Sequence, residues 1–308
     1  MKKIINQKYR LILHFLIILI FPSLCLADPL PGVKAKHLYD ITADLCHPSD
    51  LAIAPNGLIY ILDGTKNRVV TYDPGNKQIS SFKINKKQIP TSHPLGIDVD
   101  SNGHIYVADS VNNCIRVFTP DGKEQNTFKL KIPEADPTDI VVDLSSNRCF
   151  VIDNDNHRIL VYDLMGFNLL DTWGESGEKP GQFQYPFLAA IDRHSTLYVV
   201  DVLNTRVQAI SPEGRTMATI GKWGVNAGQF YRPKGVTVSK NDRIYISDSY
   251  LGVIQVFERY RKFTGVLTDP NGNILKLKTP TGIGIGSDQK LYIVEMIRNA
   301  VSVYQIME

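Results

Sequence analysis

One segment, running from a proline to an acidic residue, returns six times along the chain and leaves few folds open to it. Its clearest copy begins at Pro94 and ends at Asp109. Ile97 and Val99 alternate with polar neighbours, which predicts a short strand. Ser101, Asn102 and Gly103 form a turn, because Asn and Gly tolerate the positive φ that tight hairpins require. A second strand, Ile105 to Ala108, stops at Asp109, and after a polar loop a third runs from Ile115 to Phe118. The unit is three antiparallel strands joined by two turns.

The copies open at Pro48, Pro94, Pro137, Pro186, Pro233 and Pro280, in steps of 46, 43, 49, 47 and 47 residues. Fifteen residues after each proline, or sixteen in the third copy, stand Asp63, Asp109, Asp153, Asp201, Asp248 and Glu295, each with an aromatic residue three places before it. A period of this size with several strands per unit predicts a propeller or solenoid. Closing four-stranded blades into a ring removes exposed sheet edges. The expected fold class is therefore all-β: a six-bladed β-propeller of four-stranded antiparallel blades. Ser80 to Ile84 and Thr127 to Leu130 supply fourth, outer strands, whereas the third strand of the last copy, Val301 to Ile306, almost ends the chain. Tyr39-Asp40-Ile41 repeats the pattern of Phe82-Lys83-Ile84 and Phe128-Lys129-Leu130, so Lys34 to Thr42 is expected to complete the last blade and close the ring.

Residues 1–27 have the layout of an export signal: Lys2, Lys3, Lys8 and Arg10, then the apolar stretch Leu11 to Phe21, then small residues at Cys25 and Ala27. The apolar run is shorter than the ~20 residues a spanning helix needs. Bulky Leu24 disfavours lipidation at Cys25. Residues 28–308 then form a single domain, exported to a bacterial periplasm or beyond, and membrane attachment would need an uncleaved or lipidated N-terminus. Of 34 Lys+Arg and 31 Asp+Glu, four basic residues belong to the leader, which leaves 30 against 31. A near-neutral domain is poorly suited to nucleic acid. The basic runs Lys83-Lys86-Lys87 and Arg259-Arg261-Lys262 read as solvated faces. Cys46, Cys114 and Cys149 are odd in number and match neither a disulfide framework nor a zinc site. Cys149 aligns with Ile105 as a small buried residue, and Cys114 takes the place of Arg68, Arg158 and Arg206.

The stretches from Trp173 to Pro186 and from Trp223 to Pro233, together with the loops Lys66-Asn67-Arg68, Asn156-His157-Arg158 and Asn204-Thr205-Arg206, resemble the blade connections of NHL-repeat proteins. The resemblance spans residues 34 to 306; it weakens in the fifth copy, at Leu251-Gly252-Val253, and in the sixth, where Glu295 replaces Asp and Ala300 replaces Arg. It implies a six-bladed propeller used mostly as a binding platform. An acid present in every copy is expected to hold each blade together, with Asp63, Asp153 and Asp201 paired to Arg68, Arg158 and Arg206. Gly96, Gly235 and Gly282 suit the crowding of inner strands around the axis.

Loops before the prolines and loops after the acids share one face, opposite the Asn-Gly turns. That face carries His47, His93, Tyr185, Tyr231, Arg232, Lys234 and Tyr250, the candidate ligand-binding residues. Peptidylglycine-amidating lyases, similar in fold, hold zinc with histidines just after the blade-opening prolines. Here those places hold Ser49, Leu95, Thr138, Phe187, Lys234 and Thr281. Calcium-dependent lactonases gather oxygens around the axis, for which Asp50, Asp98 and Asp139 are the candidates. No Gly-x-Ser-x-Gly elbow is present, and Gly282 to Gly286 falls in register with the inner strands and is no phosphate loop. The sequence thus predicts a monomeric, non-catalytic binding or scaffold protein without a cofactor, whose partner is a protein, a peptide or a glycan. The alternative is a metal-dependent lactonase, hydrolase or lyase.

Overall fold

Twenty-four strands run through the described residues, seen in a computed structural model that describes residues 30–85, 94–259 and 262–307. The expected leader, 1–27, and His93, Lys86, Lys87 and Arg261 lie outside the described residues. The first strand, β1 (Gly32–Ile41), precedes four sheets of four strands each. These are β2 (Asp50–Ile53), β3 (Ile59–Asp63), β4 (Arg68–Tyr72) and β5 (Ile79–Lys83); β6 (Ile97–Val99), β7 (Ile105–Asp109), β8 (Cys114–Phe118) and β9 (Glu124–Lys129); β10 (Pro137–Asp143), β11 (Arg148–Asp153), β12 (Arg158–Asp163) and β13 (Leu169–Trp173); and β14 (Pro186–Ile191), β15 (Leu197–Asp201), β16 (Arg206–Ile210) and β17 (Thr216–Ile220). The remaining strands are β18 (Pro233–Val238), β19 (Ile244–Asp248), β20 (Val253–Phe257), β21 (Phe263–Thr268), β22 (Pro280–Ile285), β23 (Lys290–Glu295) and β24 (Ala300–Ile306). They join β1 in one eight-stranded sheet, ordered β18-β19-β20-β21-β1-β24-β23-β22.

Contacts between first strands run in a circuit, β2 to β6, β10, β14, β18, β22 and back to β2. The molecule is an all-β propeller. The second strand of each repeat is the most apolar because it is covered on both faces. All five residues of β3, β7, β15 and β19 are buried, whereas the outer β5 is almost wholly exposed. The core lies between sheets: Ile61 and Val70 pack with Tyr292, Val294 and Val301, while Leu62 and Val69 on the other face pack with Ile97 and Val107. First strands approach so closely that a methyl group at Gly96 would collide with Asp139 and Thr138, one at Gly282 with Asp50, and one at Gly235 with the Thr281 carbonyl.

β1 pairs antiparallel with β24, placing Tyr39 opposite Val303 and Ile41 opposite Val301. It also pairs parallel with β21 through Gly32, Val33 and Lys34, a contact the sequence pattern does not announce. This second pairing fuses the last two repeats into one sheet, so strand pairing divides the ring into four separate four-stranded sheets and one double sheet. The strand runs two residues earlier than expected at its start and ends at Ile41; the outer strands β5 and β9 likewise begin earlier, at Ile79 and Glu124.

Candidate functional site

Register fixes which loops share a face. Pro137, Pro186, Pro233 and Pro280 lie opposite Asp153, Asp201, Asp248 and Glu295, so the loops before the prolines and after the acids emerge at the same end of each sheet. The backbone on this face is strained. His47, Tyr185 and Thr279 each precede a proline with φ of 49°, 55° and 54°. A proline disfavours helical conformations in the residue before it, and the left-handed region costs a residue with a Cβ about 1 kcal/mol or more.

The acids anchor the loops. Arg68, Arg158 and Arg206 donate from Nε to Asp63, Asp153 and Asp201 at 2.9, 2.7 and 2.7 Å, and the three carboxylates are fully buried. The second repeat, where Cys114 stands in the arginine's place, recovers the pair from two residues along the same strand face: Arg116 Nε reaches Asp109 at 2.8 Å. The sequence held that signal, since positions two apart on a strand share a side. In the sixth repeat Arg298 and Ser302 serve Glu295, and Ser302 Oγ also lies 2.9 Å from a carboxylate oxygen of Asp40 in β1.

The fifth repeat differs. Val253 occupies the arginine position, and Asp248 instead accepts backbone N–H groups from Tyr231 (2.7 Å), Arg232 (3.2 Å), Tyr250 (3.1 Å) and Leu251 (2.9 Å). One carboxylate thus holds both loops, and the Tyr231 and Tyr250 rings stack with centroids 4.0 Å apart. Tyr250 remains 66% exposed and Tyr231 37%. Arg232, between them and the strand, is exposed. In the neighbouring repeat the Tyr185 amide donates to His157 Nδ1 at 3.1 Å and the two rings meet edge to face, with Tyr185 43% exposed. That bond assigns the His157 proton to Nε2 in the neutral ring.

Lys234 and Phe187 occupy the position after the proline in adjacent repeats, and Lys234 Nζ lies 4.0 Å from the Phe187 ring centroid. Burial, with Arg232 nearby, pushes the Lys234 amine down to about 8. The structure therefore groups Tyr231, Tyr250, Arg232 and Lys234 in one repeat, with Tyr185 and Phe187 in the next. His47 is elsewhere on the ring, tied by its amide to Asn299 Oδ1 at 2.7 Å. His157 and Phe187 were missed as site residues; the loop position of His157 was visible, but its contact with Tyr185 crosses between repeats. The two connection tryptophans are not equivalent either. Trp173 ends β13 and is buried, whereas Trp223 bridges Phe230 and is 71% exposed.

Asp50, Asp98 and Asp139 line an axial cavity of about 200 Å³ built from all six first strands. Each carboxylate accepts an amide N–H from the next first strand round the circuit: Asp50 from Ile97 (3.2 Å), Asp98 from Val142 (2.7 Å), Asp139 from Ala189 (2.7 Å). Burial raises Asp50 and Asp98 to about 7 and Asp139 well above the usual carboxylate range, with repulsion from Asp98 on Asp50, from Asp100 on Asp98, and from Asp50 and Asp98 on Asp139. These three calcium candidates stitch strand to strand, and among the described residues no group of three His, Cys, Asp or Glu side chains is gathered as a metal site. Cys114 and Cys149 are buried, and burial raises the Cys114 thiol to about 11.

Residues 45–72 and 91–118 match the family model described as NHL repeat, so the chain carries NHL repeats. No curated protein matches it. Among solved structures, a streptogramin B lyase is similar at 14% identity and a TM-score of 0.63, covering 89% of this chain and 97% of that one. Virginiamycin B lyase from Staphylococcus aureus is similar at 17% identity and a TM-score of 0.60, covering 83% and 80%. Hydrazine synthase of Kuenenia stuttgartiensis is similar at 12% identity and a TM-score of 0.61, covering 85% and 96%. At these identities the likeness is one of fold.

Proposed function

We propose that the chain is an exported, six-bladed NHL-type propeller, with the eight-stranded sheet counted as two blades sharing β1, that binds a protein, peptide or glycan on its loop face. The domain begins at residue 28 and acts as a monomer in a bacterial periplasm or outside the cell. The observation that carries this reading is the exposed Tyr231–Tyr250 stack, oriented by a buried carboxylate released from its arginine. Exposed aromatics on pinned loops present large contact area at low entropic cost, beside the Arg232 and Lys234 cations. Crosslinking pull-down from the native compartment tests it. The combined Tyr231→Ala, Arg232→Ala and Tyr250→Ala variant should lose its partner while melting cooperatively, and retained capture would exclude this face.

A second reading, a metal-dependent lyase or hydrolase, draws on the fold shared with streptogramin-type lyases and on the carboxyl groups in the axial cavity. Elemental analysis of the purified mature protein separates the two: stoichiometric calcium or zinc that survives dialysis favours the enzyme.

A further inference from the structure

The loop after each strand-ending acid places one side chain two residues beyond it: Thr65, Val111, Asp155, Leu203, Tyr250 and Ile297 in chain order. In three consecutive repeats that side chain is large, apolar and open to solvent, with Leu203 54%, Tyr250 66% and Ile297 63% exposed. Exposed Asp155 and Thr65 bound the run on either side, and Val111 stands apart in the second repeat. β14, β18 and β22 are neighbours in the circuit and their loops emerge at one end, so the three side chains form an arc on the loop face. The loops beneath them are tied down. The Leu203 N–H donates to the Gln184 carbonyl at 3.1 Å, and the N–H groups of Ser249 and Met296 donate to the carbonyls of Arg232 and Thr279 at 2.9 and 3.2 Å. Apolar side chains exposed singly mean little, but one loop position filled this way in three adjoining repeats makes a surface.

Charge divides the same face. Arg232 and Lys278, in the connections that lead into Pro233 and Pro280, are exposed and hold no carboxylate among the described residues. Asp248 and Glu295 of these repeats are buried and already serve loop N–H groups. In the third repeat, by contrast, Glu134 and Asp155 are exposed. These features together select a polypeptide. Leu203 and Ile297 offer neither donor, acceptor nor ring face, so a glycan would leave hydroxyls unpaired against them. An anionic bilayer laid on this face would meet Glu134 and Asp155 as well as the cations. A peptide segment running along the fourth to sixth repeats can seat apolar side chains on the arc and turn carboxylates to Arg232 and Lys278.

We infer that the loop face receives an acidic, apolar polypeptide segment along Leu203, Tyr250 and Ile297, with Arg232 and Lys278 as its charge partners. The inference rests on the binding-platform reading above and names the class of partner. Selection of a random-peptide phage library on the immobilised full mature chain tests it. Enriched peptides should combine leucine, isoleucine or aromatic residues with net negative charge. The best of them, resynthesised, should bind the wild type at least about tenfold more tightly than the Leu203→Ser, Ile297→Ser double variant. Independently, the Arg232→Glu, Lys278→Glu double variant should shift enrichment to basic peptides. No enrichment by a wild type that melts cooperatively, enrichment of basic or purely polar peptides, or affinity unchanged in the serine variant would each overturn it. So would binding to phosphatidylglycerol vesicles or to a glycan array in place of peptides. The two readings fail separately. Partner capture that survives the serine variant but is lost in the triple alanine variant removes the arc and leaves the platform, whereas capture that survives the triple variant removes the platform.

Discussion

The fourth and fifth repeats place the same buried aspartate at the same register and satisfy it in opposite ways. Asp201 is served by side chains, from Arg206, Asn204 and Gln208, with one backbone amide from Gln184. Arg206 then spends its remaining donors on the carbonyls of Glu178, Lys179 and Gln182, locking the connection between sheets. Asp248 is served by backbone amides alone among the described contacts, and the loops that supply them carry the exposed tyrosines. The same carboxylate therefore makes a strut in one repeat and arranges a surface in the next. The difference lies in Arg206 against Val253 on the strand and Asn204 against Leu251 in the loop before it.

Breaking the strut should have the largest effect. Arg206→Ala leaves Asp201 buried without its counter-charge, and denaturant unfolding should report a loss of about 3–5 kcal/mol. Asp248→Ala should cost less, about 1–3 kcal/mol, because amides near the surface can turn to water; it should also abolish partner capture, which Arg206→Ala in a still-folded fraction should not.

A third class of carboxylate sharpens the contrast. Asp50 and Asp98 have no arginine partner among the described contacts, and burial raises both from 3.8 to about 7. The folded state thus binds protons there that the unfolded chain releases. Their contribution is fully present below about pH 4 and is lost as the pH rises through about 7. Asp98→Asn, which mimics the protonated form, should raise the melting temperature by about 2–4 °C at pH 8 relative to wild type and lose that advantage at pH 4. Thermal scans across this range check the sign. The smallest change in stability, under about 1 kcal/mol, is expected for the Tyr231→Ala and Tyr250→Ala pair, since the rings are partly exposed; the loss should appear in capture instead.

Much of the ring was legible because its signals are local. Alternation, the Asn-Gly turns and the proline-to-acid interval placed the strands, and the match of Tyr39-Asp40-Ile41 to the outer strands placed β1 against β24. What escaped depends on neighbours distant in sequence. Parallel pairing of Gly32–Lys34 with β21 leaves no turn to read. The amide N–H groups that donate to Asp50, Asp98 and Asp139 come from the next repeat, and the positive φ at His47 and Tyr185 runs against the preference of a residue before proline. Of the face residues, aromatic and basic identity was visible. The grouping of Tyr231, Tyr250, Arg232 and Lys234, apart from His47, needed the ring. The Arg116 substitution for Cys114 could have been found by reading positions two apart.

Because β1 finds its antiparallel partner in β24, with Asp40 and Ser302 separated by 262 residues, the circle is latched by the first and last strands described. During synthesis the edge of β1 that pairs with β24 stays open until the final repeat emerges. Loop closure over such a span is slow and its entropy must be overcome before any contact rewards it. A chain of this design should become protease-resistant late and all at once, and shortening either end of the latch should cost far more than trimming an outer strand of equal length.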